Sequence, residues 1–400
     1  MTTLTRPIWA EVSKARLIHN YRLLQQVAGP QCTVLAVVKA NAYGHGSPEC
    51  APLLAEAGAE WLGVTSVDEG SVVREACARA GYEPQILVMC GVWHGEAAAV
   101  VEQKLTPVVW EPYHLDLLEA EAQRRGMAAQ SLPVHLEIDS GMSRQGVAAD
   151  ARLAAALGRF TEASPLRLQG VLTHFASAEV VDAPLNAAQM EQFAQALQAV
   201  QQQELRPQWV HAGNTSFVDA GVAAERVTQL AASMGARAMA RTGLALYGYS
   251  LPLESNAGIR PGLVQPQLQP ALTWKTRIVS LRTIAAGATV GYGATFTAQR
   301  PMRLALLPIG YADGLRRELS NCGTVLVRGQ RAAMVGRVSM DLTMVDVTAI
   351  SEAAIGDEAV VIGEQQGQRV SAEDHARLAG TIPYEILCAI SDRVPRVVVD

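Results

Sequence analysis

The chain has 400 residues, 49% of them hydrophobic and 18% charged, with a formal net charge of −5. That length exceeds one average domain of about 150 residues and is ample for a substantial core. There is no basic run to follow a phosphate backbone and no apolar stretch of the roughly 18 residues a membrane span needs, so nucleic acid and bilayer are excluded as partners. A small molecule or a second copy of the chain remains.

The N-terminal residues Met1 to Glu11 lack the apolar core and small-residue cleavage site of a secretory signal. Cysteines at 32, 50, 77, 90, 322 and 388 are far apart, without metal-ligand or redox spacing. They read as reduced, mostly core thiols of a cytoplasmic protein with no metal site.

From residue 34 to about 248, short β-branched apolar runs alternate with Ala-rich segments of helical period, the pattern of βα units over a parallel sheet. Eight runs begin at Val34, Trp61, Gln85, Leu105, Pro133, Leu168, Gln208 and Ala238. Helices are expected over residues 47–58, 111–126, 150–160 and 186–204, several closing on Gly. Eight strands with crossovers predict an α/β fold whose N-terminal domain, residues 1–265, is a TIM-type (β/α)8 barrel. Past Leu251 a Pro- and Gln-rich stretch, 260–270, leads into short strands with turn glycines and one clear helix, 371–380. Residues 266–400 therefore read as a C-terminal, mainly β domain. Its strand candidates are 272–283, 302–307, 324–327, 331–335, 342–347, 358–362 and 394–399.

In such a barrel the working residues project from the C-terminal strand ends. Lys39 closes the first run, His174 the sixth and His211 the seventh; Arg241 lies within the eighth and Arg144 follows the fifth. Any one of these alone reads as a surface or satisfied core residue, but five gather at one rim. Lys39 follows the apolar stretch Val34 to Val38, and desolvation favours the neutral amine, the form that makes Schiff bases and accepts protons.

The segment Val-Val-Lys-Ala-Asn-Ala-Tyr-Gly-His-Gly, 37–46, resembles the cofactor-lysine signature of alanine racemases. The resemblance continues in order through His-Leu-Glu-Ile-Asp-Ser-Gly-Met-Ser-Arg (135–144), Thr-His-Phe-Ala (173–176), His-Ala-Gly-Asn-Thr (211–215), Arg-Thr-Gly-Leu-Ala-Leu-Tyr-Gly (241–248), Val-Gly-Tyr-Gly-Ala-Thr (290–295), Ile-Gly-Tyr-Ala-Asp-Gly (309–314), Gly-Arg-Val-Ser-Met-Asp (336–341) and Tyr-Glu-Ile-Leu-Cys (384–388). It spans essentially the whole chain.

The resemblance implies an isomerase that interconverts L- and D-alanine, with pyridoxal 5'-phosphate held covalently by Lys39. It implies two bases on opposite faces of the α-carbon: Lys39 on the D-specific face and Tyr292 on the L-specific face. Tyr292 would come from the partner subunit of a homodimer. A phenol of ordinary pKa, about 10, is a poor base at neutral pH, so positive charge or hydrogen bonding must favour its phenolate, and His174 is the implied neighbour. Taken alone, Gly-Tyr-Gly at 291–293 reads as a β-turn with a surface tyrosine.

Arg241 would face the pyridine nitrogen, to which a guanidinium can only donate, and His211 would support it. Asn214, Thr215 and the segment Thr242 to Leu244 fall where barrels bind phosphate; Asn214 would also serve as an ordinary helix cap. By resemblance, Thr215, Gly243, Leu244, Tyr43 and Tyr384 contact that phosphate. Arg144 would meet the cofactor's phenolic oxygen and the substrate carboxylate, and Met340 would offer its backbone N–H to the carboxylate. Tyr311 and Tyr384 would narrow the entrance, with Asp341 shaping the same site.

Three positions depart from the family pattern. Glu137 stands where many relatives carry a carbamylated lysine that orients the arginine at position 144, so Glu137 is expected to pair with Arg144 directly or through water. Pro383 and Ser339 replace residues commonly asparagine and cysteine, which bears on substrate breadth, with serine the next candidate after alanine. A non-catalytic pyridoxal phosphate carrier would keep the lysine and lack the second base; Tyr292 and the C-terminal domain weigh against it. Both domains matching racemase motifs weighs against a decarboxylase or aldolase on the same barrel.

Overall fold

A computed structural model describes residues 6–400. The reading of the N-terminus falls partly on residues 1–5, outside the described residues. The chain forms two compact units that do not follow a single cut in the sequence. One comprises residues 16–42 and 50–269; the other takes in the chain up to Ala15, residues 43–49 and residues 270–400.

The first unit holds eight parallel strands: Cys32–Val37, Trp61–Val64, Gln85–Val88, Thr106–Val109, Leu132–Asp139, Leu166–Leu172, Trp209–His211 and Arg237–Thr242. They pair in sequence order, and the ring closes where the eighth meets the first, Arg241 opposite Leu35 and Thr242 opposite Ala36. This is the expected (β/α)8 barrel. Its strands read as unbroken apolar runs because one face fills the barrel and the other packs under helices; Val34, Leu35, Val108, Val134, Val171 and Val210 are all 0% exposed.

The four helices expected from period form as Ser47–Glu56, Pro112–Arg124, Ala151–Leu157 and Pro184–Gln202. Lys14–Ala28, Val67–Arg79 and Ala97–Glu102 were not anticipated. Val67–Arg79 is announced by Ser66, whose hydroxyl accepts the Glu69 N–H at 3.2 Å.

The second unit is mainly β, as expected. Ile8–Ser13, which the sequence reading passed over, lies between Leu272–Arg277 (antiparallel) and Arg396–Val399 (parallel). Both its partners come from the far end of the chain, so no local pattern announces the pairing. The expected strand 272–283 is two strands. Leu272–Arg277 joins this large sheet, while Ser280–Ile284 pairs with Met302–Leu307 in a separate three-stranded sheet completed by Thr343–Asp346. Ala372–Ala379 starts from a Ser371–Asp374 capping box and stops at Gly380, φ 67°. A second short helix, Pro383–Cys388, corrects the expectation of only one.

No disulfide joins cysteines among the described residues; Cys32, Cys50 and Cys77 are buried, but Cys90, Cys322 and Cys388 are exposed, so the core reading holds for half of them. No helix among the described residues is long and apolar enough to cross a membrane.

Candidate active site

Lys39 stands just past the first barrel strand, half-buried, at the start of a left-handed turn. Ala40, Asn41 and Ala42 have φ of 51°, 52° and 54°, and Tyr43 continues it at 52°. Left-handed backbone costs an L-residue about 1–2 kcal/mol, so this turn must be held from outside. Glu69 does much of the holding: its carboxylate accepts the Ala40 N–H at 2.7 Å, and the Thr65 N–H and hydroxyl at 2.8 and 3.0 Å. Sequence reasoning missed Glu69. Ser66-x-x-Glu69 advertises a capping box, but one carboxylate oxygen serves Thr65, just before the cap, and the other reaches the lysine turn.

Arg241, on the eighth strand, is the hub of the rim. It is 6% exposed and donates only to neutral acceptors: the carbonyls of His211 (3.2 Å) and Thr173 (2.7 Å), and Nδ1 of His211 (3.3 Å) and of His174 (3.1 Å). Burial without an ion-pair partner lowers its pKa to about 10, offset in part by the field of Glu137. Since a guanidinium has no lone pair to offer, both imidazoles must present Nδ1 as acceptor and carry their proton on Nε2. Burial, with Arg241, Arg144 and Lys39 nearby, holds the His174 pKa down to about 3, so His174 is neutral and acts as an Nε2–H donor. It therefore cannot supply the positive charge considered for a phenolate; hydrogen-bond donation is its available role. His211 donates in turn to His135 Nδ1 at 2.8 Å. Sequence reasoning missed His135, which lies inside the strand Leu132–Asp139 rather than at its end.

Arg144 lies on the loop after the fifth strand, shaped by Asp139, whose Oδ1 accepts the N–H groups of Gly141, Met142 and Ser143 at 2.9, 3.0 and 3.1 Å. Gly146 is required there: φ is 109°, and a Cβ would stand 2.5 Å from the Asp139 nitrogen. The direct Glu137–Arg144 pair does not form. Glu137 is 3% exposed and accepts from Gln145 Nε2 at 2.5 Å, with Arg144 and Arg241 acting only through their fields. Gln145 also donates to the Met89 carbonyl at 3.0 Å, so the adjacent amide satisfies the carboxylate before the longer arginine reaches it. Burial pushes the Glu137 pKa upward.

At the ends of strands seven and eight, Asn214 caps the helix Thr215–Asp219 by accepting from Ser216 and Phe217 N–H at 3.0 and 3.4 Å. Thr215 Oγ1 accepts the Gly243 N–H at 3.3 Å, which sets Thr215 beside the segment that Gly243 opens. Thr242 Oγ1 is buried without a hydrogen-bond partner. An amine, a buried cationic donor and a cluster of small hydroxyls with backbone N–H groups thus occupy strand ends one, eight and seven. That donor set fits an aldehyde, a pyridine nitrogen and a phosphate.

The remaining expected residues belong to the second unit. Tyr43 and Tyr384 meet with ring centroids 5.9 Å apart, and burial, then Tyr384 and Cys388, pushes the Tyr43 phenol upward. Tyr311 and Met340 are brought together by backbone bonds, Tyr311 N–H to Ser339 O and Ala312 N–H to Met340 O, both 3.0 Å. Gly310 permits this approach, since a Cβ would stand 2.2 Å from the Ser339 oxygen. Asp341 is occupied by Arg393 at 2.6 Å, within a cluster that also pairs Arg6 with the buried Asp313. Tyr292 is 74% exposed at the tip of the hairpin Thr289–Val290 and Phe296–Thr297, flanked by Gly291 and Gly293 at φ 72° and 71°.

Residues 12–251 match the family description of the alanine racemase N-terminal domain and 271–398 that of the C-terminal domain. The chain is similar to the alanine racemase of Symbiobacterium thermophilum, 40% identical over 98% of this chain and 97% of that one. Its structure resembles the alanine racemase of Streptomyces coelicolor A3(2), with a TM-score of 0.86, 32% identity and 98% of each chain covered. It also resembles that of Bartonella henselae, described with covalently bound pyridoxal phosphate: TM-score 0.78, 26% identity, covering 98% of this chain and 99% of that one. A barrel with a lysine and a carboxylate-free arginine at its rim, a β unit that displays a tyrosine, and likeness over the full length agree: the chain belongs to the alanine racemase family.

Proposed function

We infer that the protein interconverts L- and D-alanine using pyridoxal 5'-phosphate carried on Lys39, as a cytoplasmic homodimer. The observation that carries this reading is Arg241, a buried guanidinium held by two carbonyls and two imidazole lone pairs, on the strand adjacent to the one that leads into Lys39. A buried cation without a carboxylate is costly unless a ligand uses its remaining donors.

When bound, pyridoxal phosphate supplies an electron-withdrawing ring that makes the α-hydrogen of an attached amino acid removable. Arg241 would face the ring nitrogen as a donor, which would leave that nitrogen without a proton, temper the ring's electron withdrawal and disfavour side reactions. Thr215, Gly243, Leu244, Tyr43 and Tyr384 hold the phosphate, with Asn214 ordering the turn that carries Thr215. Lys39 Nζ takes or returns the proton on one face of the α-carbon, and the Tyr292 oxygen does so on the other. Arg144 and the Met340 N–H orient the substrate carboxylate, while Tyr311 and Asp341 shape the entrance. The exposed Tyr292, with Met340 and Leu342 at 53% and 42% exposure in the same unit, supports delivery of Tyr292 to a second copy.

Proton NMR in deuterated water tests the reading. With pyridoxal phosphate present, L-alanine should exchange its α-hydrogen and appear as the D-form, and serine should respond more weakly. Tyr292→Phe should abolish racemisation while leaving the cofactor's absorption band, and Lys39→Ala should lose both. Bound cofactor with no exchange across an amino-acid panel would favour the carrier.

A further inference from the structure

Behind Arg241 lies a line of buried imidazoles whose polarity only one arrangement satisfies. His211 and His135 are both 0% exposed. His135 sits on the fifth strand opposite Gly170 of the sixth, and His211 pairs with Leu172 of that same sixth strand, so the line crosses the barrel interior. Arg241 can only donate, so His211 Nδ1, 3.3 Å away, is a lone pair. His211 then carries its proton on Nε2 and donates to His135 Nδ1 at 2.8 Å. His135 in turn carries its own proton on Nε2, a buried atom without a well-formed partner, and Gln169 Oε1 is a buried acceptor likewise without one. The Gln169 side chain acts on His135 in the sense that favours its protonation, against the much larger effect of burial. Reversing His135 would force a proton onto His211 Nδ1 and set it against the guanidinium.

We propose that His135 is a positioning residue for Arg241: by accepting the Nε2 proton of His211, it locks His211 as the tautomer whose Nδ1 lone pair holds the guanidinium. The geometry around His135 serves that purpose. Gly170 leaves the room, since a Cβ there would stand 2.6 Å from His135 Nδ1, and Trp61 packs against the ring with centroids 5.3 Å apart. Two imidazoles in an apolar barrel interior cost more than two aliphatic side chains of similar volume, so the fold alone gives no reason for them. Their use is directional: they hold Arg241 without a carboxylate that would neutralise it. This inference rests on the reading that Arg241 serves the cofactor ring.

The test is long-range nitrogen–proton correlation NMR on the 15N-histidine-labelled holoenzyme, with kinetics of three proteins. In the wild type, His211, His135 and His174 should all appear as Nε2–H tautomers. His135→Phe, matched in fold by circular dichroism, should release His211 into mixed tautomers. Its kcat should fall about tenfold, the size of one lost buried hydrogen bond, with KM for alanine nearly unchanged. The ring-nitrogen shift of bound 15N-labelled pyridoxal phosphate should move in the same variant. His135→Asn, whose carbonyl can accept the same proton, should restore the tautomer and most of kcat. An Nδ1–H tautomer for His211 in the wild type, or an unchanged His211 in a folded His135→Phe protein, overturns the proposal. The tautomers are read without turnover, so absence of racemisation would count against the functional reading and leave the histidine lock standing.

Discussion

Lowering the pH from 7.5 to 5.5 should destabilise this protein through two histidines that the barrel interior keeps neutral. Burial holds the His135 pKa down to about 3 and that of His211 well below the usual value. In the unfolded chain both titrate near about 6.5. Below that pH the unfolded state binds protons the native state refuses, so stability rises with pH in this window and is lost as pH falls through 6.5. One unit below, the pair together costs about 3 kcal/mol, a large part of a typical stability of about 5–15 kcal/mol. Glu137, raised by burial, works in the opposite direction, so the histidine part must be isolated by difference. Urea midpoints followed by tryptophan fluorescence, at fixed protein concentration and at both pH values, supply it for the wild type and the His135→Asn/His211→Asn double variant. The wild type should lose about 3 kcal/mol more than the variant between the two pH values. Equal pH dependence in the two proteins would refute the argument.

Gly170→Ala should drive a methyl group against His135 and cost about 1–3 kcal/mol by denaturant unfolding, with much of that recovered when His135→Ala is added; additive costs would show that the two sites do not touch. Glu69→Ala leaves the Ala40 and Thr65 N–H groups without their acceptor. It should lower stability by about 2 kcal/mol and speed cofactor release from the Lys39 turn, and an unchanged release rate would exclude a holding role. Glu137→Gln removes a carboxylate field that acts on Arg241 and should raise KM for alanine; unaltered kinetics would make Glu137 a bystander. Bicarbonate, added or removed, should leave activity unchanged.

The barrel was legible because each of its strands is buried on both faces and therefore reads as a short apolar run wherever it lies. The lysine, both histidines and the arginine were legible because strand ends in such a barrel have a common destination. Glu69 was not, since only one of its carboxylate oxygens serves the chain beside its own helix and the other reaches a backbone N–H on another βα unit. The failure of Glu137 to pair directly with Arg144 was equally hidden, because it depends on Gln145 sitting close enough to satisfy the carboxylate first.

By itself, the sequence determined the (β/α)8 barrel, the mainly β second unit and the set of chemistry-bearing residues at the rim, all of which follow from periodicity and order along the chain. Only the tertiary structure decided that Ile8–Ser13 pairs with strands from the far end, that Lys39 begins a left-handed turn, and that Arg241 is held by lone pairs alone. The physical reason is the same in each case. Hydrogen-bond direction and the protonation of buried imidazoles depend on which donors and acceptors meet across strands, and that meeting exists only after the ring has closed.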